Sequence, residues 1–337
     1  MPQVTRYVLR RLLLLPPLLV GVSLLLFVLT HLVPADPAKL IAGEHAGPEQ
    51  LAAVRHTFGL DRPLPQQYLV FLARLARGDL GTSMLTNGPV MGDLAQYFPA
   101  TVELAASAML LTIVLGIPIG VLSAVRRGGM TDLLAQVLSL SGLSFPVFFF
   151  GILLQLVFVR WLGWLPLSGR LGITAVPPPH ITGLYVVDSL LTGKFQDLGS
   201  ALSHLVLPAL TLALSSLAPT VRMTRSTMLE SLSQDYTRTA WAKGIAPLGV
   251  LVHHALRNAL IPVITVLGLY TGGLLGGVFL VELVFTWPGV GLYSVNAITA
   301  LDYPGIMGAS LLLTVVFVLV NLGVDVLYAV VDPRIRY

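Results

Sequence analysis

The chain has 337 residues, of which 55% are hydrophobic and 11% charged, with a mean hydropathy of +0.84. A soluble domain carries about 25% charged residues, so the polar material needed to coat water-soluble domains of this total length is missing. The 20 Lys and Arg against 16 Asp and Glu give too weak an imbalance to indicate a nucleic-acid partner, and the absence of cysteine excludes disulfides, thiolate metal sites and cysteine nucleophiles within the chain.

Six stretches lack Asp, Glu, Lys and Arg over 19 or more residues: 12–30, 104–125, 133–159, 201–221, 258–281 and 303–324. About 20 apolar helical residues cross a bilayer, so the expected fold is an all-α polytopic membrane protein with about six transmembrane helices. Pro16-Pro17, Gly116-Ile117-Pro118 and Pro146 are tolerable inside such spans where neighbouring helices cover the disturbed backbone. The first stretch follows Arg6, Arg10 and Arg11. Its apolar run exceeds a signal-peptide core and Thr30-His31-Leu32-Val33-Pro34 offers no small-residue cleavage site, so it reads as a retained anchor.

Between the first two spans, residues 31–103 carry mixed charge, with short helices expected at 48–57 and 63–77, and form a small external segment. After the third span, Trp161 and Trp164 in Trp161-Leu162-Gly163-Trp164-Leu165-Pro166-Leu167-Ser168-Gly169 are placed to anchor the chain at a membrane–water interface. One alternating set of connections, 1–11, 126–132, 222–257 and 325–337, holds 12 Lys and Arg. The opposite set, 31–103, 160–200 and 282–302, holds eight in about twice the length. The positive-inside rule then puts both termini and 222–257 in the cytoplasm, and 31–103 and 160–200 outside.

The segment Leu229-Glu230-Ser231-Leu232-Ser233-Gln234-Asp235-Tyr236-Thr237-Arg238-Thr239-Ala240-Trp241-Ala242-Lys243-Gly244 predicts a short helix ending at Gly244. Ile245-Ala246-Pro247 and a second helical run through His253-His254-Ala255-Leu256-Arg257 follow. Held between spans, such a pair suits a rigid projection that transmits motion from a cytoplasmic partner. Glu103, Glu282 and Asp325 lie at span edges, where a carboxylate either lines a polar pathway or sits paired at the boundary. His31, His204, His253 and His254 form no His-Glu-x-x-His pattern, and no serine is placed against a general base.

At these residues the sequence resembles the permease subunits of bacterial ATP-driven importers. The closest resemblance is to the first permease of the dipeptide, oligopeptide and nickel group. The family's cytoplasmic Glu-Ala-Ala motif, three variable residues and glycine align with Arg238-Thr239-Ala240 and Gly244, Arg-Thr standing for Glu-Ala. Further similar segments are Gly78-Asp79-Leu80-Gly81-Thr82-Ser83, His254-Ala255-Leu256-Arg257-Asn258-Ala259-Leu260-Ile261-Pro262 and Thr286-Trp287-Pro288-Gly289-Val290-Gly291. Asp302-Tyr303-Pro304 and Asp332-Pro333-Arg334-Ile335-Arg336-Tyr337 complete a likeness that runs almost the length of the chain.

The resemblance implies an N-terminal anchor and outward segment over 1–103 and a permease domain over 104–337, in a bacterial inner membrane. It also implies a homologous second permease, two cytoplasmic ATPase subunits and an extracytoplasmic solute-binding protein that delivers dipeptides or short oligopeptides. Nickel complexes are the alternative cargo within the family. The chain holds no Gly-x-x-x-x-Gly-Lys-Ser/Thr loop, so no cofactor is expected in it, and ATP and Mg are expected in the partner ATPases. Within the coupling segment, Asp235, Arg238 and Lys243 are expected to contact an ATPase groove. Ala240 and Gly244 are expected to allow close approach and a tight turn, and Arg257 to secure the second short helix. Glu282 and Asp325 are the pathway candidates. An ion-gradient transporter is the reading from another class, but it needs a coupling-ion site that the charge-free spans do not display.

Overall fold

The computed structural model describes residues 2–32, 46–58, 61–172 and 175–331. Among these, the regular elements are helices, apart from an isolated bridge between Thr82 and Pro89. In chain order they are α1 (Pro2–Leu32), α2 (Pro48–Phe58), α3 (Leu64–Leu75), α4 (Val90–Val125), α5 (Met130–Ser144), α6 (Val147–Leu154), α7 (Tyr185–Leu191), α8 (Phe195–Ser233), α9 (Asp235–Ala242), α10 (Pro247–Gly249), α11 (Arg257–Val284), α12 (Val290–Thr299) and α13 (Tyr303–Val331). A π-helical stretch, Gln155–Trp161, continues α6, and another, Val250–Leu256, joins α10 to α11.

Five helical segments are long and apolar enough to cross a bilayer: Tyr7–Thr30, Val90–Val125, Phe195–Ser233, Pro247–Leu274 and Tyr303–Val326. Helices answer the need to satisfy every backbone group where no water is available. The stretch expected as a continuous crossing at 133–159 is instead divided. Helix α5 ends at Ser144, Phe145 is extended (φ −108, ψ 146), and Pro146 caps α6. Proline has no N–H to donate and pushes the preceding residue out of the helical region, which accounts for the break. Pro118, Pro208, Pro219 and Pro262 lie inside unbroken helices, so the interruption belongs to this site rather than to proline in general. The two short outer helices form as α2 and α3.

The described residues fall into two compact units, one of residues 1–8, 99–288 and 319–337 and one of 9–98 and 289–318. In the first, Ala100, Leu104 and Ala108 of α4 pack with Leu205, Leu212 and Ala213 of α8 and with Leu274, Val278 and Val281 of α11. Small residues set the approach: a Cβ on Gly120 would lie 2.5 Å from the Thr224 Cβ, so α4 and α8 meet almost backbone to backbone. Further along the same helices Ala124 and Met228 pack with Ala255 and Ala259. The second unit is centred on Val90, Leu94, Val290, Tyr293 and Ala309.

Candidate functional site

The segment between α8 and α11 is built to hold one short helix outward on a rigid stem. Gln234 is extended (ψ 153), so the helix expected from Leu229 to Gly244 is broken there: 229–233 complete α8 and α9 starts afresh at Asp235. Thr237 and Ala240 are buried, and the Thr237 hydroxyl donates to the Ser231 carbonyl at 2.7 Å, tying α9 back to the end of α8. At the other end the Gly244 amide donates to the Trp241 carbonyl and the Ile245 amide to the Ala240 carbonyl, a Schellman closure with Gly244 at φ 73. A Cβ there would meet nothing within 4 Å, so glycine is required for its backbone angle rather than for space.

The outer surface of this turn combines charge with apolar area. Asp235 and Arg238 pair at 3.6 Å with side chains 97% and 74% exposed, and Lys243 and Arg257 are exposed. Tyr236, Trp241, Leu248 and Val252 are exposed large hydrophobics beside them. The second short helix expected before Arg257 is not separate: Pro247 begins a helical run that passes through the π-helical stretch straight into α11. Arg257 therefore stands on a continuous rod.

Just before α8 runs past the α4–α5 turn, a second polar assembly holds the helices together. The Arg225 Nε and Nη2 groups donate to the two Asp132 carboxylate oxygens at 2.7 and 3.0 Å. The Gly128 amide, Ser123 hydroxyl and Gln136 amide also donate to Asp132. The Arg225 guanidinium first, then the other donors, hold this carboxyl well below the usual carboxylate range. Beside it, a cavity of about 160 Å³ is lined by Ser123, Gln136, Ser139, Arg222 and Arg225.

The 160–200 connection is fastened by charges at its opposite end. Arg170, buried, pairs with buried Glu103 of α4, donates to the Gly183 carbonyl at 3.0 Å, and lies 3.5 Å from the Tyr185 ring centroid. Glu103 also accepts the Val186 amide at 2.8 Å. Asp188 gathers the Ile181, Thr182 and Gly183 amides and the Thr182 hydroxyl. Burial pushes its carboxyl up, but those hydrogen bonds together leave it below its ordinary value. Close by in sequence, Thr101 donates to fully buried Glu282 at 2.7 Å and the Trp287 indole donates to the Ala100 carbonyl at 2.9 Å. Asp325 accepts the Tyr7 hydroxyl at 2.8 Å. Trp161 and Trp164 are 70% and 69% exposed.

In the second unit, two of the singled-out motifs meet. Ser83 of Gly78–Ser83 donates to Asp302 of Asp302-Tyr303-Pro304, which also accepts the Gly305 amide. Tyr293 donates to Asp93, and burial, with the Asp93 and Asp302 charges, pushes its phenol up. The motif at 332–337 lies outside the described residues. Arg170, Asp132, Arg225 and Asp188 were not singled out from sequence. Arg225 stands 93 residues from Asp132 and Arg170 stands 67 from Glu103, while Asp188 meets its partners through the fold of a loop, so no local pattern signals these groups.

Long apolar helices, with a short glycine-closed helix between two of them and ion pairs joining helix to helix and helix to loop, define an all-α polytopic membrane protein. Residues 116–337 match the family described as binding-protein-dependent transport system inner membrane component, and residues 4–105 match the N-terminal component of such systems. The chain belongs to this family, as a membrane permease subunit of the ATP-driven peptide and nickel importer group. It is 44% identical over 331 residues to the dipeptide transport system permease protein DppB of Alkalihalophilus pseudofirmus, covering 98% of this chain and 99% of the relative. It is 45% identical to the di/tripeptide transport system permease protein DppB of Pseudomonas aeruginosa, with 98% of both chains covered. The glutathione transport system permease protein GsiC of Pectobacterium atrosepticum is 42% identical, covering 98% of this chain and 99% of the relative.

Proposed function

We propose that the chain imports dipeptides or short oligopeptides as one half of a membrane pathway, together with a homologous second permease. An extracytoplasmic solute-binding protein delivers the peptide, and two cytoplasmic ATPase subunits supply the energy. The observation that carries this reading is the near full-length likeness to permeases named for di- and tripeptide transport. Both termini and the α8–α11 turn lie in the cytoplasm of a bacterium, on the loop-charge argument, and α5 with α6 makes the sixth crossing. Residues 1–103 serve as anchor and outward segment and 104–337 as the permease domain.

Asp235, Arg238 and Lys243 contact an ATPase groove, with Ala240 seating α9 on its stem, Gly244 closing the turn, and Arg257 at the foot of α11. Closure of the ATPase pair pulls on the turn around Ser233–Gly244, and the attached helices α8 and α11 shift the pathway between outward and inward openings. The change is one of population between two arrangements, with no chemistry done on the peptide. Glu282 and Asp325 border this pathway, each held at its helix end by a hydroxyl partner. The test is uptake of labelled di- and tripeptides by proteoliposomes holding the complete complex, with ATP and binding protein each present or withheld. Uptake that requires both is expected. Uptake driven by an ion gradient without ATP overturns the mechanism, and failure with peptide-loaded binding protein and active ATPases overturns the cargo in favour of a nickel complex or another small solute.

A further inference from the structure

We propose that α3 is embedded in the lipid of the outer leaflet, so that part of the segment between the first two spans lies in the membrane rather than above it. The argument starts on α1. Ser23 and Thr30 are buried polar residues and Phe27 is a buried aromatic, and these three recur at helical spacing on one side of a span whose other sides leave Leu24, Leu25, Val28 and Leu29 exposed. On this side Ser23 and Phe27 meet Tyr68 of α3. The Tyr68 hydroxyl donates to the Val20 carbonyl at 2.9 Å and lies 3.0 Å from the Ser23 hydroxyl, which also donates to Val20. The Tyr68 ring sits 5.3 Å from Phe27 and stacks on Phe71.

The register of these contacts sets the depth. At about 1.5 Å per residue, with the Tyr7–Thr30 span centred on a hydrocarbon core of about 30 Å, Ser23 and Val20 lie roughly 8–13 Å below the nearer hydrocarbon face. The Tyr68 hydroxyl bonded to those positions is inside the hydrocarbon with them, which draws the apolar side of α3 into the outer leaflet. The three hydroxyl and carbonyl groups satisfy one another there, as groups cut off from water must.

The composition of α3 fits that environment. Around its axis, Tyr68, Phe71 and Leu75 share the side toward α1, and Leu72, Leu69 and Ala73 form the adjoining sector. Gln66, which adjoins Ala73, then Val70, Arg74 and Gln67 occupy the remainder, and the long Arg74 side chain lets its charge snorkel toward the headgroups. No residue of α3 is buried, and Leu69 is 63% exposed. An apolar arc wider than one helix contact can cover, beside a narrow polar sector, is the pattern of a helix lying in the membrane interface. Lipid is the occupant because the uncovered arc of α3 continues the uncovered apolar surface of α1 at the same depth.

The absence of cysteine in this chain makes a site-specific test direct. Leu69→Cys, Ala73→Cys and Gln67→Cys chains carry a nitrobenzoxadiazole label, assembled with cysteine-free partner subunits in phosphatidylcholine vesicles with and without doxyl-labelled lipid. Labels at Leu69 and Ala73 are expected to emit to the blue and to be quenched by the doxyl lipid more strongly than the label at Gln67, which lies more than about 100° round the helix from both, by about a factor of two or more. Using two sites in one sector keeps the test valid if one variant fails to assemble. Red emission at both places α3 in water, and blue emission without quenching means another protein surface covers it. Either result overturns the proposal.

Discussion

Replacing Glu103 with Leu removes the carboxylate that neutralises Arg170 and accepts the Val186 amide. Arg170 is then left buried with the Gly183 carbonyl and the ring faces of Tyr185 and Trp287, the latter 5.6 Å away. Breaking a buried pair from one side costs about 3–5 kcal/mol, because the surviving charge has lost its partner without regaining water. Cation–π contacts return about 2 kcal/mol at most and are already present in the parent. The fastening of the 160–200 connection should therefore open more often by about two to three and a half decades, read as faster hydrogen exchange at the Gly183 amide, which bonds to Asp188 and not to Glu103, in the purified complex. Adding Arg170→Met removes the stranded charge. The double variant should be more stable than the single, falling short of the parent by about 1–3 kcal/mol for the Gly183 carbonyl and the Val186 amide, both left without these partners. Exchange in Glu103→Leu within threefold of the parent, or a double variant no better than the single, would refute the argument that charge pairing fastens this loop.

Gly244→Ala forces a Cβ into a left-handed angle at about 1–2 kcal/mol, so α9 amides should exchange about 5–30 times faster, with Gly244→Asn milder; equal effects of Ala and Asn would contradict the backbone explanation. The same closure ends α11 with Thr286 at φ 48, where the Trp287 amide donates to the Glu282 carbonyl. Thr286→Gly should accordingly stabilise the purified complex by about 0.5–1 kcal/mol, seen as a higher unfolding midpoint, and an unchanged or lower midpoint counts against it. Asp235→Ala with Arg238→Ala should alter stability by less than about 0.5 kcal/mol, since both side chains are exposed, while lowering substrate-stimulated ATP hydrolysis. Unaltered stimulation would remove them from the contact. Asp132, depressed in the fold and near 3.9 when unfolded, contributes fully above about pH 5 and loses that contribution as pH falls through 4 and below. The midpoint gap between the parent and Asp132→Asn should thus shrink from pH 7 to pH 3.5, and a constant gap would sink the assignment.

Much of this architecture was legible because lipid imposes a coarse rule. A charge-free run of 19 or more residues has few alternatives to a helix, and the stretches at 12–30, 104–125, 201–221, 258–281 and 303–324 each lie inside one. Helix ends beyond the hydrocarbon escape that rule. Polar residues 222–233 looked like connection, yet they continue α8, held by packing of Met228 against Ala124 and Ala255. The break at Phe145–Pro146 was invisible because the same dipeptide chemistry elsewhere in the chain is absorbed into continuous helix. At the α8–α11 turn, spacing to Gly244 was readable because a left-handed angle selects glycine, whereas the Gln234 break depends on how Thr237 bonds back to Ser231. Glu103 and Glu282 drew notice as carboxylates, but their partners are set by tertiary packing, which leaves no periodic trace in sequence.

The unbroken rod from Pro247 through the π-helical stretch to Val284 is about 55 Å long, and its far end is lashed to α4 by the Thr101–Glu282 and Ala100–Trp287 hydrogen bonds. A lever of that length turns a tilt of about five degrees at one end into a sweep of about 5 Å at the other, more than either bond can stretch. With both bonds intact the lashed end keeps its place against α4, so such a tilt is taken up at the Pro247 end or carries α4 along with the rod.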